Sequence, residues 1–127
     1  MTLELRLPEV VNPIFAFSAS LGAGERRLDL RLTGAADARA TADLEAFTRR
    51  AHEEARRLGV PEVSVDLSEL SFMSSSCLKA FVIWLSEVRE LAPHARYKLR
   101  FVWDEKCYWQ RRSLQALKTF AEEIIEL

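Results

Sequence analysis

The chain has 127 residues, 49% of them hydrophobic and 29% charged, with a formal net charge of −1; these values describe one soluble folded domain, exclude disorder, and allow a core without disulfide or metal. A charge so near zero gives no electrostatic footprint for nucleic acid or an anionic membrane. Two cysteines, Cys77 and Cys107, form neither a disulfide framework nor a zinc pattern and suit a reducing cytoplasm, while no apolar run has the length of a signal core or a membrane span.

Residues 1–13 read as a lead-in, in which Leu3, Leu5 and Leu7 alternate with Glu4 and Arg6 as a short strand or docked arm before Pro8. Residues 14–127 read as a single domain. Phe15, Phe17, Ala19 and Leu21 alternate up to Gly22 and Gly24, and Leu28, Leu30 and Leu32 alternate beyond them, which predicts an antiparallel hairpin. From Thr41 the period changes. Leu44, Phe47, Ala51, Ala55 and Leu58 step by three and four, with Thr41 as N-cap, Asp43 and Glu45 in the first turn, and Gly59 and Pro61 closing the helix. Arg49, Arg50, Arg56 and Arg57 lie among glutamates on its other side, as a solvated face.

The segment from Val63 to Val88 organises the rest of the chain. Val63, Val65 and Leu67 alternate with Ser64 and Asp66 as a strand with one buried face, and Leu78, Phe81, Leu85 and Val88 then mark a helix ending near Ala92 and Pro93. A loop joins them. Tyr97, Leu99, Phe101 and Trp103 give a further strand, and Leu114, Leu117 and Ala121 restore helical spacing from about residue 108. Residues 122–127, with Ile124 and Ile125, suit an edge strand as well as a helix end. Every strand alternates, whereas a parallel sheet covered on both faces reads as continuous apolar runs. The pattern therefore predicts an α/β fold: a mixed β-sheet with an N-terminal hairpin and helices packed mainly on one face.

The loop before the second helix ends in Ser74, Ser75 and Ser76. One serine suffices to cap a helix; the other hydroxyls sit near the positive end of the helix dipole, a good place for an anion. Cys77 in the first helical turn invites a thiol-enzyme reading, yet His52 lies in the first helix's polar run and His94 after Pro93. A cysteine beside Leu78 and Phe81 is more often a small buried hydrophobe. Asp66 and Glu69 as an acid and base pair weigh less than solvated charge on an open sheet face. Gly22, Gly24, Gly34 and Gly59 form no phosphate loop, and the histidines and cysteines have no ligand spacing. No cofactor or metal is expected. Phe72, Phe81 and Trp84 surround the serines in sequence, and Trp103, Tyr108 and Trp109 precede the third helix. Core packing is favoured for them, with Trp84 and Trp109 the candidates for interface anchors.

The run Val65, Asp66, Leu67, Ser68, Leu70, Phe72, Met73, Ser75 and Ser76, followed by an apolar helix and preceded by a hairpin and an amphipathic helix, resembles the STAS domain of anti-sigma-factor antagonists and sulphate-transporter tails. The resemblance implies a non-enzymatic regulatory module that binds a protein partner, an anti-sigma-like kinase or another signalling protein, through the serine corner and the second helix. It implies Ser75 as the phosphoacceptor, and Met73, Ser74, Ser75, Ser76, Cys77 and Lys79 as partner contacts. Ser74 stands where the family has Asp and Cys77 where it has Gly, which marks the chain as diverged. Two other readings stay open: a small STAS-like subunit of a transport complex, and a thiol-dependent enzyme using Cys77.

Overall fold

The alternating segments pair into a single sheet in the computed structural model, which describes residues 5–22, 24 and 26–127. Strand β2 (Phe15–Gly22) pairs antiparallel with β1 (Val10–Val11) on one side and β3 (Arg27–Ala36) on the other, so the expected hairpin is β2 and β3. Helix α1 (Thr41–Leu58) follows, then β4 (Glu62–Asp66), β5 (Leu70–Met73), α2 (Ser75–Glu90), β6 (Lys98–Val102), α3 (Tyr108–Phe120) and β7 (Ile125–Glu126). The sheet order is β1-β2-β3-β4-β6-β7, with the pairs from β3 onward parallel and β4 central. Residues 122–127 thus resolve in favour of an edge strand, β7 on β6.

Each strand turns one face to the helices. Phe15, Phe17, Leu28, Leu30, Leu32, Val63, Val65, Leu99 and Phe101 are buried, while Ser18, Asp29, Ser64, Asp66 and Arg100 occupy the opposite, open face. Aromatic contacts join sheet to helix: Phe17 meets Phe47 at 5.6 Å between centroids, and Phe81 meets Phe101 edge-on at 5.7 Å. Asp66 accepts from the backbone and hydroxyl of Ser68, and Glu69 pairs with Arg31. These two carboxylates belong to the open face and its rim and make no acid and base pair with each other.

β5 is a strand that alternation does not reveal. Among its four residues only Leu70 is buried, and Phe72 stands 49% exposed. It forms because β3 outruns β4: the register of β3 shifts between Gly34 and Ala35, and its last residues pair with β5 instead. Gly34 makes this possible, with φ 88° and with space so tight that a Cβ would lie 2.1 Å from the Ile14 carbonyl oxygen.

Two boundaries depart from expectation. Thr41 is the first residue of α1 rather than its cap; Ala40 holds that place without a side-chain bond, and a 3₁₀ turn at Ala38–Ala40, capped by Asp37, leads in. The other end agrees, with Gly59 at φ 66° donating its N–H to the Ala55 carbonyl. In the lead-in, residues 5–7 form no strand; Leu7 is buried and the Arg6 N–H donates to Glu54 Oε2 at 2.8 Å, so this stretch is a docked arm. Leu3 and Glu4 lie outside the described residues.

Candidate functional site

Three serines meet the N-terminus of α2 and divide its demands between them. Ser74 is the cap: its backbone is extended, and its Oγ accepts from the Cys77 N–H at 3.2 Å. Ser76 turns inward, its Oγ 2.8 Å from Thr41 Oγ1 and 3.1 Å from Ser74 Oγ. A chain of hydroxyls thereby ties the start of α1 to the start of α2. Ser75 is left over. It is exposed in the first turn of α2, and among the described residues nothing bonds its hydroxyl.

The corner is held from several sides. The Ser74 N–H donates to the Ala36 carbonyl at 2.8 Å, fastening the corner to the end of β3. Asp37, next along the chain, accepts from the Arg39 backbone and pairs with its guanidinium at 2.7 Å, and these bonds hold its carboxyl below the usual range. From the far side comes Gln110, wholly buried near the start of α3. Its amide donates to the Leu67 carbonyl at 2.6 Å and the Leu70 carbonyl at 2.9 Å, and its oxygen accepts from the Asp104 N–H at 2.8 Å. A buried amide with every strong bond made fixes the turn between β4 and β5, and so the approach to Ser74.

Cys77 is neither a surface contact nor an accessible thiol. It is 0% exposed, and its Sγ–H donates to the Asp37 carbonyl at 3.4 Å. A partner resting on the corner would not touch it, and a substrate would have no path to its sulfur. The remaining expected contacts lie at the surface in varying degree: Met73, Ser74 and Ser76 are half-buried, and Lys79 is exposed one turn beyond Ser75.

His52 is buried rather than in a polar run, at the opposite end of α2. The Trp84 Nε1–H donates to the Tyr97 hydroxyl at 2.7 Å, and that hydroxyl lies 2.6 Å from His52 Nδ1. Tryptophan can only donate, so full satisfaction requires Tyr97 to give its proton to an unprotonated Nδ1. The other ring nitrogen, Nε2, then carries its hydrogen towards Glu87, 3.9 Å away. Burial holds His52 below its ordinary pKa against the opposing pull of Glu87, and pushes the Tyr97 phenol well above its own. Trp84, an interface candidate in sequence, is a core residue here.

No family model and no characterised protein sequence matches the chain. Solved structures do. The anti-sigma-factor antagonist STAS domain from Rhodobacter sphaeroides aligns over 72% of this chain and 89% of its own with a TM-score of 0.53 at 20% identity. The Bacillus cell fate determinant SpoIIAA in its phosphorylated form aligns over 87% of this chain and 89% of its own, with a TM-score of 0.57 and 20% identity. An anti-sigma factor antagonist from Mycobacterium paratuberculosis aligns over 81% and 80%, with a TM-score of 0.55 and 16% identity. These alignments extend over most of each chain: the chain has a STAS-like fold.

Proposed function

We propose that the protein is a regulatory module of the anti-sigma-factor-antagonist type, which binds a protein partner through the serine corner and the first turns of α2 and is switched by phosphate on Ser75. One observation carries the reading: of three adjacent hydroxyls at the start of α2, Ser74 and Ser76 are engaged in holding the corner and Ser75 alone is exposed and unbonded among the described residues. A phosphate there adds about −1.5 to −2 of charge beside free backbone N–H groups and the positive helix end, which favour it. The fold therefore accepts what a partner built for a neutral hydroxyl would reject. SpoIIAA, of like fold, is known in phosphorylated and unphosphorylated forms. Met73, Ser74, Ser76 and Lys79 complete the contact surface, and Cys77 is left out of it.

The test begins with affinity purification from the native cell. Incubating the chain with the captured partner and ATP, then mapping modified peptides by mass, should place phosphate on Ser75 and leave Ser74 and Ser76 unmodified. Phosphate confined to another residue would reject the assignment, and capture of an ABC-type ATPase alone would favour a transport-complex subunit.

A further inference from the structure

Charge is unevenly distributed over the helices of a chain whose net charge is −1. Helix α3 carries Arg111, Arg112 and Lys118 and no acid, and the first half of α2 carries Lys79 and no acid. Among the described residues none of these four cations has an ion-pair partner. On α1, by contrast, the arginines alternate with glutamates and Arg57 pairs with Glu54. Between α2 and α3 runs a shallow groove of ≈ 360 Å³, lined by Leu78, Tyr108, Trp109, Arg112, Ser113 and Ala116. Tyr108 stands 72% exposed with the Arg112 guanidinium 5.8 Å from its ring centre, and the Trp109 Nε1–H, shut off from solvent, has no acceptor among the described residues. The small side chains of Ser113 and Ala116 leave room for close approach.

From this we infer that the α2–α3 groove docks an acidic amphipathic helix of a protein partner, its apolar stripe against Leu78, Trp109 and Ala116 and its carboxylates towards Lys79 and Arg112. Helix-in-groove recognition needs an apolar floor flanked by complementary charge; Leu78, Trp109 and Ala116 supply the floor, and Arg112 with neighbouring Lys79 the charge. Arg112 in the lining and Lys79 next to Leu78 suit a short acidic helix better than a nucleic acid, which requires a longer cationic track. Leu78 and Lys79 follow Ser75 by one turn, so the groove continues the surface proposed to meet the regulatory partner. The inference rests on that reading for its biological setting and names the chemistry of the partner's segment.

A display selection tests it with the full chain and with Ser75 intact. The probe is a library of helix-favouring peptides about fifteen residues long, near the limit at which isolated helices persist, without bias in charge. Recovered peptides should be acidic, with apolar residues at i, i+3, i+4 and i+7, and should shift the Trp109 indole N–H resonance. The double variant Lys79→Glu with Arg112→Glu should weaken them by about tenfold or more while melting like the parent, and should prefer their lysine-for-glutamate counterparts. Recovery of no peptide, of peptides without acidic excess, or of peptides indifferent to the double variant would overturn the inference. So would stronger occupation of the same face by phosphatidylglycerol vesicles or an oligonucleotide. Because the selection does not alter Ser75, its failure is separable from that of the phosphorylation reading.

Discussion

The two ends of α2 treat polar side chains in opposite ways. At the C-terminal half, Trp84, Tyr97 and His52 are buried, and the indole N–H, the phenol hydroxyl and His52 Nδ1 are matched to one another. At the N-terminus, Ser74 and Ser76 are matched while Ser75 faces solvent with its hydroxyl unused among the described residues. A buried polar cluster left incomplete costs stability, so the inner end is closed; an exposed hydroxyl costs nothing to leave free, so the outer end can hold a reactive position. Substitutions at the inner end should therefore act on folding, and those at Ser75 on binding.

The largest stability effect is expected from Tyr97→Phe. It strands the Trp84 N–H and the His52 acceptor in the core, and with a buried unsatisfied group costing about 1–3 kcal/mol the loss should be about 2–4 kcal/mol by urea unfolding. Acid should reveal the same cluster. His52 is held below its ordinary pKa by burial, so the unfolded chain takes up a proton more readily than the folded one. The stability this group contributes is complete above about pH 6.5 and is lost as pH falls from there towards the folded value, at no more than about 1.4 kcal/mol per unit. In His52→Gln that slope should flatten below about pH 6.5, whereas an unchanged slope would place the titrating group elsewhere.

Effects shrink towards the outer end. Ser74→Ala removes the cap of α2 and should cost about 1 kcal/mol. Ser75→Ala should change stability by less than about 0.5 kcal/mol, as for a surface side chain without partners. Equal losses from the two alanine variants would erase the distinction between cap and free hydroxyl.

How far the sequence reveals this arrangement depends on the range of the interactions. The hairpin, α1 with its Gly59 stop, and the central strand around Val63 and Val65 are written in local periodicity, and the structure agrees. β5 is not, because its pairing is created by the bulge at Gly34, about 36 residues away, and Leu70 alone is buried in it. Thr41 carries the residue type of a cap, but its hydroxyl is drawn to Ser76 across the fold. His52 sits among charged neighbours in sequence, and only the arrival of Tyr97 and Trp84 from elsewhere makes its site buried. Gln110 does leave a signal: it stands one turn before Leu114 and two before Leu117 on the same stripe, and a polar residue on an apolar stripe marks a buried hydrogen-bonding role. At the corner itself the three serines are visible in the sequence, but their division of labour is not, since it turns on which hydroxyl meets Thr41.

The central claim is that Ser75 is dispensable to the fold and decisive for the partner. Thermal melting and partner affinity measured together on the parent, Ser75→Ala and Ser75→Asp test it most directly. Nearly equal melting temperatures are expected for all three, with binding by Ser75→Ala and a loss of about two orders of magnitude or more in Ser75→Asp, where an unpaired charge must be desolvated in the interface. Unfolding of Ser75→Asp would make Ser75 a structural residue, and parent-like binding by a folded Ser75→Asp would place the interface away from the serine corner.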